Sequence, residues 1–178
     1  LLPPADFFSP GNGHSINSTE AEMGKYAGNV FGAMKVVFGN ILNDFCEALE
    51  LSFQKEGLKQ KVDYNNVRKI LGSDRRIGNA WLDVHHGNYK GFGGFCFPKD
   101  TDAFIAFAKN TCKKLPLKKK EEKNLKKLVA RGIDFLESMR NYNIELLKTQ
   151  GLTLKEVSRH DEELAKKLKN KEAQKKAK

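Results

Sequence analysis

Apolar residues recur at helical spacing along much of this chain, and no segment alternates in the way a half-buried strand would. From Met23 the series runs through Tyr26/Ala27, Val30/Phe31, Met34, Val37/Phe38, Ile41/Leu42, Phe45/Cys46 and Leu49, which is one broad apolar face of a helix. Thr19 and Glu22 stand just before it with the spacing of a capping box. No proline interrupts the next stretch of about thirty residues, so the pattern predicts a rod roughly 45 Å long at 1.5 Å per residue. An apolar stripe of that length is hard to cover within 178 residues, and it predicts a subunit partner. A second stripe of the same helix is small and polar: Lys25, Asn29, Gly32, Val36, Asn40 and Asn43. Lys25 and Asn29 lie one turn apart, so an ammonium and an amide point at one spot, either toward a site or into solvent.

Further along, Asp63 has the character of a cap for a short helix over 64–71, ended by Gly72. A link over 73–79 leads to Ala80, Trp81 and Leu82, with Trp81 expected in the core, and then to a loop over 85–94. A helix follows over 102–112 with Asp100 as its cap, Pro116 marks a turn, and a third long helix is expected over 121–149. Its buried face would carry Leu125, Leu128/Val129, Gly132, Phe135/Leu136, Met139, Tyr142/Asn143 and Leu146/Leu147, and Gly151 would end it. The expected class is all-α. Residues 1–18 read as an extended lead-in, 19–150 as the helical body, and 151–178 as a Lys-rich helical tail.

Charge sharpens this division. Up to Cys112 there are twelve Lys and Arg against twelve Asp and Glu, whereas from Lys113 onward there are twenty against ten, so the whole net charge of +10 lies in the last third. A basic tail can recruit nucleic acid or an anionic membrane. The lysines over 166–178 are interleaved with Glu172 and alanines and have no aromatic on which a base could stack, which favours a solvated helix over nucleic-acid binding. No segment is apolar enough to span a membrane, and residues 1–6 lack the basic flank and apolar run of a signal peptide. Beginning at Leu1, the chain reads as a fragment or processed product of a cytoplasmic protein. Three cysteines without framework spacing fit reduced thiols.

The richest chemistry lies in Gly91-Phe92-Gly93-Gly94-Phe95-Cys96-Phe97-Pro98-Lys99-Asp100. Three glycines in four positions let backbone come close to a ligand. The thiol then falls near the start of a helix, where unpaired N–H groups and the positive dipole end favour a thiolate. On this context alone Cys96 fits either a packing residue or a nucleophile; Cys46, within the apolar stripe, and Cys112, at a helix end, fit packing. Arg76 suits an anion ligand or a surface cation. His85 and His86 are adjacent, face apart on regular structure and have no cysteine or histidine cluster beside them, so no metal site is expected. The 91–94 run is not a dinucleotide fingerprint, because no strand precedes it.

These signals occur in a recognisable order. The segment from Thr19 through Lys25 to Asn29, then Asp74-Arg75-Arg76-Ile77-Gly78-Asn79, then 91–100 resembles the middle of the UDP-glucose/GDP-mannose dehydrogenase family, over about 18–143 and nearest its UDP-glucose members. The resemblance implies a central all-α region that forms a homodimer through the long helix, between an N-terminal Rossmann domain for NAD and a C-terminal domain for the nucleotide. It also implies oxidation of a nucleotide sugar at C6 to the uronic acid. Cys96 would carry the substrate as a thioester, Lys25 and Asn29 would hold the oxyanion and the hydrolytic water, and Asp100 would assist proton transfer. Lys99 would lie near the cofactor, Phe92 and Gly93 against the sugar nucleotide, and Arg76 would reach into the neighbouring subunit's site. No strand-turn-helix precedes Thr19, Lys-rich helix follows Gly151 where the family enters its nucleotide-binding domain, and the loop over 81–91 is longer than in the familiar enzymes. The chain alone is expected to be without turnover. The alternative is a non-catalytic dimerising module of the same descent whose basic tail meets anionic partners.

Overall fold

The computed structural model describes residues 17–86 and 88–158, and their secondary structure is helical throughout. The first periodic segment is longer than expected: α1, Ser18–Lys55, has 38 residues and is about 57 Å long. Its capping box is Asn17 with Glu20, not Thr19 with Glu22. The Asn17 side chain accepts from the Glu20 N–H at 3.0 Å, and Glu20 accepts from the Asn17 N–H at 2.9 Å. Asp63 does cap α2, Tyr64–Ser73, accepting from the Asn65 N–H at 2.8 Å. This helix continues past Gly72, which is buried inside it. The remaining elements are α3, Cys96–Lys113, α4, Lys120–Thr149, and the short α5, Leu154–Val157. Of the lead-in expected over 1–18, Asn17 and Ser18 belong to the start of α1, while residues 1–16 and the tail beyond Ser158, with its question of nucleic acid, lie outside the described residues. No helix is long and apolar enough to cross a membrane among those described.

The packing uses the two faces of α1 differently. Val30, Gly32, Ala33, Val36, Val37, Gly39, Asn40, Asn43 and Cys46 are buried, so most of the small stripe faces the rest of the chain. Phe31, Phe38, Phe45 and Leu49 are left exposed. Small side chains let α3 approach α1 closely, and the large aromatics have no room on that side. Ala33, Val36 and Val37 join Phe92 and Met139 in the central core, while Ile105, Cys112 and Ile133 fill the seam between α3 and α4. The expected buried face of α4 holds only in part: Met139, Asn143, Leu146 and Leu147 are buried, but Leu125, Leu128 and Phe135 are exposed. Trp81, expected in the core, is half exposed and edge-on to Phe97 at 5.9 Å.

The end of α4 redirects the chain onto this core. Gly151, at φ +66°, takes the left-handed conformation that closes a Schellman turn, with the Gly151 N–H on the Lys148 carbonyl at 2.8 Å and the Leu152 N–H on that of Leu147 at 3.0 Å. Leu152 and Val157 are thereby buried with Leu147. Thr153 caps α5 in a capping box with Glu156.

Candidate active site

The thiol of Cys96 belongs to the first residue of α3 rather than to a loop before it. Helix can begin this early because Pro98 is its third residue, where a proline removes no intrahelical hydrogen bond. Phe95 stands at the N-cap position and provides no side-chain cap, so the first-turn N–H groups lie beside an exposed sulfur. Asp100 is consequently not a cap. It lies one turn inside α3, fully buried, and its carboxylate is used across the helix–helix seam.

That seam brings the polar end of the α1 stripe to the start of α3. Gly32 is in contact with Phe97, close enough that an added Cβ would fall 2.6 Å from the ring's Cζ. One turn earlier, Asn29 Nδ2 donates to Asp100 Oδ2 at 2.5 Å, leaving its second N–H free of that bond. Lys99 donates its ammonium to Asp100 Oδ1, and Lys25, a turn before Asn29, acts on the same carboxylate through its charge. Burial by itself would raise the Asp100 carboxyl, but the hydrogen bonds from Lys99 and Asn29 and the two lysine charges outweigh it and hold the carboxyl below the ordinary carboxylate value. Lys99 moves the opposite way, raised first by its bond to Asp100, with a smaller contribution from the nearby Cys96. Tyr26 lies against both ammonium groups, 5.0 Å from Lys25 Nζ and 5.8 Å from Lys99 Nζ at its ring centroid.

The loop before the thiol is held from its far side. Asn143, on α4, accepts from the Phe92 N–H at 2.7 Å and donates to the Phe92 carbonyl at 3.0 Å. Gln150 treats Lys90 in the same way, at 2.7 and 2.9 Å. The Val157 carbonyl accepts from the Gly94 N–H at 2.7 Å. None of these three residues was expected at the site. The one local signal was an asparagine in the apolar register of α4.

Cys96, Lys25, Asn29, Lys99 and Asp100 therefore gather at one place, while the other expected residues fall elsewhere. The Phe92 side chain is turned into the core at 1% exposure, and its main-chain groups are taken by Asn143, whereas Gly93 and Gly94 are partly exposed. Arg76 is on an exposed turn, paired with Asp74 at 2.6 Å. It lines an apolar groove of roughly 520 Å³ together with Phe31, Phe38, Phe135 and Tyr142, a groove whose lining includes none of Cys96, Lys25, Asn29, Lys99 and Asp100. His85 and His86 are exposed, and among the described residues no His, Cys, Asp and Glu cluster could hold a metal ion.

Residues 19–124 match the sequence model of the UDP-glucose/GDP-mannose dehydrogenase family, central domain. Over 91 residues the chain is 42% identical to UDP-glucose 6-dehydrogenase AglM of Haloferax volcanii, covering 51% of this chain and 18% of that protein. Over 90 residues it is 40% identical to UDP-glucose 6-dehydrogenase of Rhizobium meliloti and 39% identical to UDP-glucose 6-dehydrogenase YwqF of Bacillus subtilis, in each case covering 51% of this chain and 17% of the relative. The chain thus spans less than a fifth of the length of these relatives. No solved structure matches it.

Proposed function

The chain belongs to the UDP-glucose/GDP-mannose dehydrogenase family by its central domain, and from there we propose that it is the dimerising, thiol-bearing segment of a nucleotide-sugar 6-dehydrogenase. The substrate would be UDP-glucose or a related UDP- or GDP-sugar, and the product its uronic acid. One observation carries this reading: an exposed thiol opens α3, and one turn on, the buried Asp100 is bonded to Asn29 and Lys99 within the field of Lys25.

In this reading the sulfur of Cys96 adds to the aldehyde carbon of the half-oxidised sugar, and the carbonyl pair moves onto oxygen, where Lys25 and the second N–H of Asn29 donate to it. Once the adduct has become a thioester, water adds to the acyl carbon and Asp100, ionised at neutral pH, assists removal of its proton. The carbon–sulfur bond then breaks, the sulfur leaving with the bonding pair. The covalent link retains the substrate between two oxidations. The described residues do not fit NAD by themselves. They contain no strand, hence no strand-turn-helix cradle for a pyrophosphate, and Lys99, with one N–H on Asp100 and its side chain half exposed, would only adjoin a cofactor held elsewhere. The hydride acceptor that the oxidations need would be bound by residues other than these.

The row of Phe31, Phe38, Phe45 and Leu49 along α1 supports a homodimer through that helix. Arg76, at the rim of the same groove, would then extend toward the partner's site. In a dehydrogenase carrying this segment, Cys96→Ala should abolish uronic-acid formation while sedimentation still reports the dimer. Uronic acid formed at the unmutated rate by that variant would refute the assignment.

A further inference from the structure

We propose that Asn143 is a positioning residue for Cys96, its side-chain amide holding the peptide of Phe92 and so the path by which the chain reaches the thiol. The proposal rests on the reading of Cys96 as nucleophile and extends the machinery beyond residue 124, where the family match ends.

Asn143 is fully buried and exchanges two hydrogen bonds with one residue, accepting from the Phe92 N–H and donating to its carbonyl. That is how a residue of a neighbouring strand would pair with Phe92. Gln150, seven residues on, pairs with both main-chain groups of Lys90, and Val157 takes the Gly94 N–H. Lys90, Phe92 and Gly94 are alternate residues of a bent loop, with Gly91 and Gly94 at positive φ, and each is held by a residue from the end of α4 or beyond it. The loop is thus held at three points by the side chains of Asn143 and Gln150 and by the Val157 carbonyl. The last hold is two residues before the thiol.

Gly91 fits this arrangement closely. At φ +102°, an added Cβ would fall 2.6 Å from Asn143 Oδ1, so the residue beside Phe92 must lack a side chain for the amide to arrive. The hold also reaches α1: the Phe92 ring meets that of Phe97 at 6.5 Å, and Phe97 in turn is packed on Gly32, one turn from Asn29. Asn40 gives the contrast. It is equally buried, but its amide bonds only the Val36 carbonyl of its own helix and its Oδ1 has no hydrogen-bond partner. Asn40 is a polar residue in a core, whereas Asn143 joins α4 to the loop of the thiol.

The test is native-state amide exchange followed by NMR on the 15N-labelled chain, comparing the unmutated protein with Asn143→Leu, which keeps the number and branching of side-chain heavy atoms and removes both bonds. Protection of the Phe92 and Gly94 amides should fall at least ~10-fold more than that of Val36 and Val37 in the α1 core, because local opening is separable from global unfolding. If Asn143→Leu fails to fold, Gly91→Ala keeps the amide but displaces it, and the same difference is expected. In a dehydrogenase carrying the segment, Asn143→Leu should lower kcat by about 100-fold, as small misplacements of reacting groups do, with KM for the nucleotide sugar within about threefold. Loop protection that falls only in step with the core, or an unchanged kcat, would overturn the proposal. The exchange result is independent of the thiol's chemistry, so an active Cys96→Ala enzyme would remove the nucleophile and leave the loop measurement standing as a separate result.

Discussion

Replacing Phe38 by Glu should split the proposed dimer while leaving the fold nearly intact. Phe38 is 50% exposed on α1, and its neighbours Phe31 and Phe45 are 57% and 67% exposed. A phenylalanine side chain presents roughly 200 Å², so about 100 Å² at Phe38 awaits a partner. At about 25 cal/mol per Å² that area is worth ~2.5 kcal/mol. A two-fold interface contains the residue twice, giving ~5 kcal/mol per dimer, or between three and four decades in the dissociation constant at 1.4 kcal/mol per tenfold. An unpaired carboxylate at the interface adds to the loss. Within one subunit the penalty is far smaller, about 1 kcal/mol, because half of the ring is already in water and the glutamate methylenes replace part of its contact. Sedimentation equilibrium over a concentration series measures the first quantity, and urea unfolding followed by circular dichroism the second. An unmutated chain that sediments as a monomer at its highest soluble concentration would refute the argument, as would a variant whose dimer dissociates no more readily than the original.

Other outcomes follow from burial and charge. Iodoacetamide should alkylate Cys96 alone in the folded chain, since Cys46 and Cys112 are both only 8% exposed; peptide mass spectrometry reads the site, and equal labelling of all three would contradict the fold. Leu147→Ala, at a side chain with no exposure, should cost about 2–5 kcal/mol in chemical denaturation. The Asp100 carboxyl is depressed in the folded state, so its stabilisation is complete above the ordinary carboxylate value near ~4 and is lost as pH falls through the lower folded value. The unmutated chain should therefore lose stability in acid more steeply than Asp100→Asn, and parallel pH profiles would show that the carboxylate is not held as described. Gly32→Ala should destabilise by about 1–3 kcal/mol through its collision with Phe97, with retention of full stability as the contrary result.

Much of the fold could be read along the chain because the three long helices are strongly periodic, and the Asp63 cap was visible for the same local reason. Boundaries were less legible. Asn17 and Glu20 have capping-box spacing just as Thr19 and Glu22 do, and only the hydrogen bonds distinguish them. The start of α3 was expected six residues too late because Pro98 and the glycines look like breakers, although a proline in the first turn breaks nothing. Which face of α1 would pack within the chain could not be inferred from hydrophobicity, since Gly32, Ala33 and Val36 win that place by size and the larger phenylalanines are left outside. The grouping of Lys25 and Asn29 with Cys96 came from the family resemblance, since residue type alone left Lys25 equally suited to a solvated face. The partnership of Asn29 with Asp100 spans 71 positions, and the holds from Asn143, Gln150 and Val157 cross from segments that read locally as core and tail, so tertiary structure was needed to find them.

In the proposed mechanism the substrate is joined covalently to one sulfur, that of Cys96. A dehydrogenase carrying this segment, given UDP-glucose and NAD and quenched in acid during turnover, can be digested and its cysteine peptides weighed. An acyl adduct on the Cys96 peptide, removed by hydroxylamine and absent without substrate, is the predicted result. Turnover without an adduct at Cys96, or with the adduct on Cys46 or Cys112 instead, would contradict the account.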